Sequence, residues 1–290
     1  MTTQARSAVV LDGPTWRDLA RRHATRADAM TAGWRRRKQT HTPHPVEDFL
    51  FTYYPTRPAQ LARWHPGVGV ALQDAREFAD KRWYVRRGEE VALDTTAFLA
   101  DRREGVQWAQ QLLRGTLGRP GRFNCFGLHE WAMVYRAQEV RHSQVPLRLG
   151  QEGTDEVVRS HPLRCTHFDA FRFFTDEAAP RNERRLDRAS QMDLEQPGCL
   201  HANMDTYKLA LKLGPAVPGD LLLDTFELAR DIRELDMRAS PYDLREWGYH
   251  PVPIETAAGK ATYVAAQREF ARRAEELRHR LLEVTETLLG

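Results

Sequence analysis

Each of the three cysteines in this 290-residue chain stands just ahead of a histidine: Cys125-Phe-Gly-Leu-His129-Glu130, Cys165-Thr-His167-Phe-Asp169, and Cys199-Leu-His201 followed by Asp205. Thiol, imidazole and carboxylate groups are costly to bury unpaired, so their recurrence among Phe, Trp and Leu marks either a satisfied polar core or a reactive site. Several chemistries fit. Cys165, His167, Cys199 and His201 offer ligands to zinc or iron, and Glu139-Val-Arg-His142 has the spacing that sets two ligands on one helix face. A thiol nucleophile at Cys165 or Cys199 would need a neighbouring imidazole to activate it. A dyad is expected at His201 and Asp205, one helical turn apart, whereas the adjacent His129 and Glu130 diverge by about 100° on a helix. Asp236 falls between Ile232 and Ala229 on the apolar side of its helix, near a C-terminus that disfavours negative charge, so it needs a partner or a role.

A different chemistry is suggested by the turn Pro66-Gly67-Val68-Gly69. It is similar to the hairpin of helix-hairpin-helix proteins, whose glycines let backbone amides approach a DNA phosphate. An ordinary loop has the same composition.

Helices must position most of these groups. Helix-forming composition covers residues 14–37, and the prolines and histidines of residues 39–45 then break it before the aromatic run Phe49-Leu-Phe-Thr-Tyr53-Tyr54. Asp94 or Thr95 can cap a helix reaching residue 117, and residues 199–213 and 218–238 read as two helices separated by Gly214-Pro215. Residues 260–289 form a long charged amphipathic pattern, and a small strand is expected within residues 145–174. These signals predict a mainly α protein: a single compact helical domain with a small β element, residues 1–44 being an N-terminal helix and linker and residues 45–290 the core domain. No repeat of 20–50 residues suggests a solenoid.

Composition bounds the partners. Lys plus Arg number 43 against 40 Asp plus Glu, a net charge of +3, and only five of the cations are lysine. Arginine suits phosphates and carboxylates through its planar fork, yet it also fills ordinary solvated helix faces. Three cysteines do not form a disulfide framework, and no apolar stretch is long enough for a leader or a bilayer span. A cytoplasmic protein is expected.

Five strings carry a resemblance: His44-Pro-Val-Glu-Asp-Phe-Leu-Phe-Thr-Tyr-Tyr54, Arg57-Pro-Ala-Gln-Leu-Ala-Arg-Trp-His-Pro-Gly67, Phe126-Gly-Leu-His-Glu-Trp-Ala-Met133, Arg164-Cys-Thr-His-Phe-Asp-Ala-Phe-Arg-Phe-Phe174 and Arg233-Glu-Leu-Asp-Met-Arg-Ala-Ser-Pro-Tyr-Asp243. Over most of its length the chain resembles an actinobacterial family commonly labelled 3-methyladenine DNA glycosylase. The resemblance implies excision of an alkylated purine from double-stranded DNA without a cofactor and without an obligate protein partner. Such an enzyme stacks a flipped, electron-poor base on aromatic rings and stabilises the cationic sugar with a carboxylate. The stacking candidates are Trp131, Tyr53, Tyr54 and Phe168. Glu130, Asp169 and Asp236 are the candidate carboxylates, with His201 and Asp205 beside them. Gly67, Gly69, Arg164 and Arg172 are the candidates for the DNA backbone. The residues alone leave two other readings open: a zinc- or iron-dependent small-molecule enzyme, and a non-catalytic DNA-binding or scaffold protein.

Overall fold

A computed structural model describes residues 9–138 and 144–290, so Glu139 and His142 lie outside the described residues. Its helices are α1 (Gly13–Thr40), α2 (Phe49–Tyr53), α3 (Pro58–Leu61), α4 (Arg76–Ala79), α5 (Thr95–Leu117), α6 (Leu128–Ala132), α7 (Gly150–Ser160), α8 (Phe168–Phe171), α9 (Gln191–Leu194), α10 (Leu200–Leu213), α11 (Gly219–Arg238) and α12 (Ala257–Leu289). The strands are β1 (Val9–Leu11), β2 (Val70–Gln73), β3 (Tyr84–Arg87) and β4 (Glu90–Leu93). The protein is therefore mainly α with a small sheet.

Local chemistry sets the long helices. The Asp12 carboxylate accepts from the Thr15 amide at the start of α1, Asp94 does the same for Ala97 in α5, and the Thr256 hydroxyl accepts from the Gly259 amide in α12. Each satisfies one of the amides that a helix N-terminus leaves without a partner. Gly214-Pro215 ends α10, and Pro218 leads directly into α11.

The sheet has the order β1-β2-β4-β3, with β1 parallel to β2 and the remaining pairs antiparallel. It lies outside residues 145–174, where a strand was expected: that stretch holds α7 and α8, and two isolated bridges at Leu147 and Leu163 are its β content. The actual strands are three or four residues long, and β3 and β4 carry Arg86, Arg87 and Glu90 around the Gly88-Glu89 turn. So short and charged a hairpin has little apolar alternation to announce it. Through β1 and α1 the N-terminal segment joins the rest: Val9–Leu11 pairs with β2, and Arg26 on α1 binds Asp224 and Glu227 on α11 at 2.7 and 2.6 Å.

At the centre, α10 packs on α11, while α12 lies along α5, α10 and α11. Trp131, Tyr207, Tyr263, Phe98 and Phe226 are among the largest enclosed side chains. Nearly all of α10 is buried, including His201, Asn203, Asp205 and Thr206, so its polar groups must find partners inside the protein. No helix among the described residues is long and apolar enough to cross a membrane.

Candidate functional site

The three Cys/His segments converge where α6, α8 and the start of α10 face the C-terminal half of α11. Cys125, Cys165, Cys199, His129 and His201 surround a hole of about 10 Å³, room for about one water molecule. Gly198 lets the chain enter α10 here, because a Cβ at that position would sit 2.4 Å from the Arg122 carbonyl oxygen. From α12, the Gln267 amide donates to the Gly198 carbonyl at 2.6 Å, and Arg278 donates to the Asn203 side chain at 2.6 Å.

Two histidine–carboxylate pairs flank a third histidine. His129 Nε2 lies 2.8 Å from Asp236 Oδ1, and the other Asp236 oxygen accepts from Arg233 at 3.3 Å. Arg233 also donates to Glu130 at 3.0 Å. On the opposite side, His167 Nε2 is 3.4 Å from Asp205 Oδ2, which is also bound by Lys208 at 3.0 Å, while Tyr54 donates to Asp205 Oδ1 at 3.0 Å. Between them the His201 ring meets His129 edge-on at 4.4 Å and stacks on His167 at 5.4 Å, and it makes no hydrogen bond among the described residues. The expected His201–Asp205 dyad is therefore replaced: Asp205 turns toward His167 and Tyr54, which arrive from elements remote in sequence, and toward Lys208, one turn further along α10. Asp236 finds its partners in His129 and Arg233, while Arg238 binds Glu234 and the His250 carbonyl instead.

Burial and charge split these groups. Burial opposes the imidazolium of His129 and His167, but the Asp236 and Asp205 carboxylates outweigh it and raise both. His201 has no such partner, and burial with its two histidine neighbours drives it down to about 3. Burial pushes Glu130 up against the pull of Arg233. For Asp169, burial is overcome by the hydrogen bond from Lys208, made at 2.6 Å, so its carboxyl lies below the ordinary range. Burial raises all three thiols, Cys165 to about 12, which removes the thiolate that a nucleophilic cysteine requires.

Beside this cluster lies a cavity of about 350 Å³, within the size range of ligand sites. Phe49, Tyr53 and Phe173 supply aromatic walls, and Glu130, Asp169, His201 and Arg233 supply its polar groups. Phe49 and Tyr53 are stacked with centroids 5.1 Å apart, and the Arg233 guanidinium covers the Phe49 ring at 3.9 Å. A neighbouring groove of about 460 Å³ has Arg63, Arg102, Lys208 and Lys212 in its walls and, among the described residues, no carboxylate. Lys208 links the two through its bond to Asp169.

Of the expected stacking residues, Tyr53 lines the cavity. Trp131 is wholly enclosed and donates to the Ala239 carbonyl at 2.8 Å, so it is a core residue. Tyr54 is buried on Asp205 and Tyr207, and Phe168 packs on the core outside the cavity lining. Phe49 and Phe173, which the sequence reading passed over, take their places. Both sit within the quoted aromatic strings, but density of aromatics alone does not separate walls from core. Arg172 stands at the cavity rim, 3.3 Å from Asp169 and over the Phe173 ring, whereas Arg164 pairs with Glu183 at 3.5 Å. Gly67 packs against Pro218, and the neighbouring Val68 amide is spent on the Ala216 carbonyl. That turn sits at the opposite end of α11 from Asp236, roughly 26 Å away by helical rise.

The proposed zinc or iron ligands are also redistributed. Cys165 donates to the His167 carbonyl at 3.5 Å, and Cys125 accepts from Gln267 at 3.6 Å. Among the described residues, the metal-competent grouping is His129, His201 and Asp236, whose ligand atoms lie within 4.8 Å of one another. Of the four ligands expected from sequence, His201 alone belongs to it.

Comparison with protein-family profiles, with curated proteins and with solved structures gives no significant match.

Proposed function

We propose that the protein hydrolyses the N-glycosidic bond of an alkylated purine, such as 3-methyladenine, in double-stranded DNA, working in the cytoplasm. The observation that carries this reading is the aromatic cavity with two carboxylates in its wall pushed in opposite directions, Glu130 up and Asp169 down. Pairs of acids whose environments separate them in this way divide into a proton donor and a charge stabiliser.

The flipped base enters between Phe49, Tyr53 and Phe173, where an electron-poor methylated ring gains from aromatic faces. Tyr53, raised to about 12 chiefly by burial, keeps its hydroxyl proton. Glu130, pushed up by burial, donates a hydrogen bond to the departing base, which already carries the positive charge and leaves neutral. Asp169, kept ionised by Lys208, faces the cationic sugar and takes the proton from the attacking water as it adds, as in glycoside hydrolysis. The four cations of the adjoining groove take the DNA phosphates on either side of the flipped nucleotide.

Single-turnover release of methylated base from duplex DNA tests this. Wild-type protein is expected to release base, with Asp169→Asn slower by roughly 100-fold or more and Glu130→Gln by about 100-fold. Absence of release by folded wild type, or two variants that match it, would sink the proposal.

A further inference from the structure

Beyond that reading, we propose that His129, His201 and Asp236 form a binding site for one divalent transition-metal ion, open on the side of the aromatic cavity. Two imidazoles and one carboxylate are a ligand set suited to Zn²⁺, Fe²⁺ or Co²⁺ and poorly suited to Mg²⁺ or Ca²⁺, which favour oxygen. With metal–ligand bonds of about 2.0–2.2 Å, the donors of a tetrahedral ion stand roughly 3.4 Å apart. The three donors here already lie within 4.8 Å, so small side-chain adjustments close the site.

Three independent features favour a cation there. His201 is packed between two rings, lines the cavity and makes no hydrogen bond to the protein among the described residues, so a ring nitrogen is free to bind a metal. The surroundings are acidic: Glu130, Glu195, Asp205 and Asp236 are buried around the histidines, against the buried Arg233 and Arg278 and a Lys208 that Asp169 shares. The carboxylate is also held in place. Arg233 occupies Asp236 Oδ2, leaving Oδ1 toward His129, and Glu130 fixes Arg233 in turn, which is the kind of outer support that metal ligands receive. Three protein ligands, with His201 on the cavity wall, leave a fourth coordination position for water on that side.

The test is a Co²⁺ titration of the full-length, chelator-stripped protein, followed by visible d–d absorption. One Co²⁺ per chain is expected, displaced by Zn²⁺. His201→Ala, which removes no hydrogen bond, should remain folded by circular dichroism and lose the bands, and Glu130→Gln should weaken binding about 10-fold. His201→Gln provides the same readout should the alanine variant fail to fold. No bands from folded wild type, or bands that survive in a folded His201 variant, overturn the site. Intense near-ultraviolet sulfur-to-cobalt absorption would overturn it too, by moving the ion to the cysteines. Base release does not enter this readout, so the metal site and the glycosylase reading stand or fall separately.

Discussion

Both ends of α11 bury a histidine, and the two have opposite chemistry. At the N-terminal end, His23 of α1 donates from Nε2 to the Leu61 carbonyl at 2.9 Å and packs against Gly219, with no carboxylate in ion-pair reach among the described residues. Burial lowers it, and a neutral ring joined to a carbonyl is a structural element. At the C-terminal end, His129 meets Asp236 and is raised, with His201 in its lee. Burial is common to both. What separates the two is whether a carboxylate is buried with the ring, and α11 carries such a carboxylate at one end only.

The comparison breaks most severely at Asp236. Asp236→Ala leaves Arg233 and His129 buried without their shared acceptor, and denaturant unfolding should show a loss of about 3–5 kcal/mol, the range for splitting a buried ion pair. A loss below about 1 kcal/mol would mean that the network is solvated.

The packing end should respond to volume and not to charge. In Gly219→Ala the new Cβ would lie 2.5 Å from Trp64 Cδ1 and 2.8 Å from His23 Nδ1, costing about 1–3 kcal/mol by thermal or denaturant melt while leaving base release unchanged. Equal loss of both would place this end within the functional machinery.

A smaller effect sharpens the contrast through pH. His201 is lowered to about 3 when folded, so below roughly 6.5 the unfolded chain binds a proton that the folded protein refuses. Stability should fall from there toward pH 3 by up to about 1.4 kcal/mol per pH unit for this group. His129 and His167 act with the opposite sign. Their raised values give stability that is complete below roughly 6.5 and is lost as pH rises through their folded values. The histidine contribution should therefore peak near pH 6.5, and His201→Gln, measured with a chelator present, should flatten the acid side alone. An unchanged acid slope would refute the buried, unpaired ring.

Much of this was legible beforehand. The bounds of α5, α10, α11 and α12 follow from Asp94, Gly214-Pro215, Pro218 and the apolar periodicity, because capping and proline chemistry act over three or four residues. The convergence of the Cys/His segments could also be read, since buried polar groups must find company. Which acid serves which histidine could not. His129 and Asp236 are 107 residues apart, and their pairing is decided by how α6 lies against α11. The same limit hid the difference between Trp131 in the core and Phe49 on a wall, because identical apolar chemistry serves both. The β3–β4 hairpin escaped because four-residue strands rich in Arg and Glu are indistinguishable from a solvated loop until the sheet gathers them.

The grip of α12 on α10 has a consequence for the cluster. Every side chain of the cluster, from Tyr53 to Asp236, precedes in sequence Gln267 and Arg278, which bond the Gly198 and Ala202 carbonyls and the Asn203 side chain and so fasten the start of α10. A chain that lacks α12 therefore keeps every side chain of the cluster but loses the bonds that hold the start of α10, so the cluster depends on a helix that contributes none of its own groups to it.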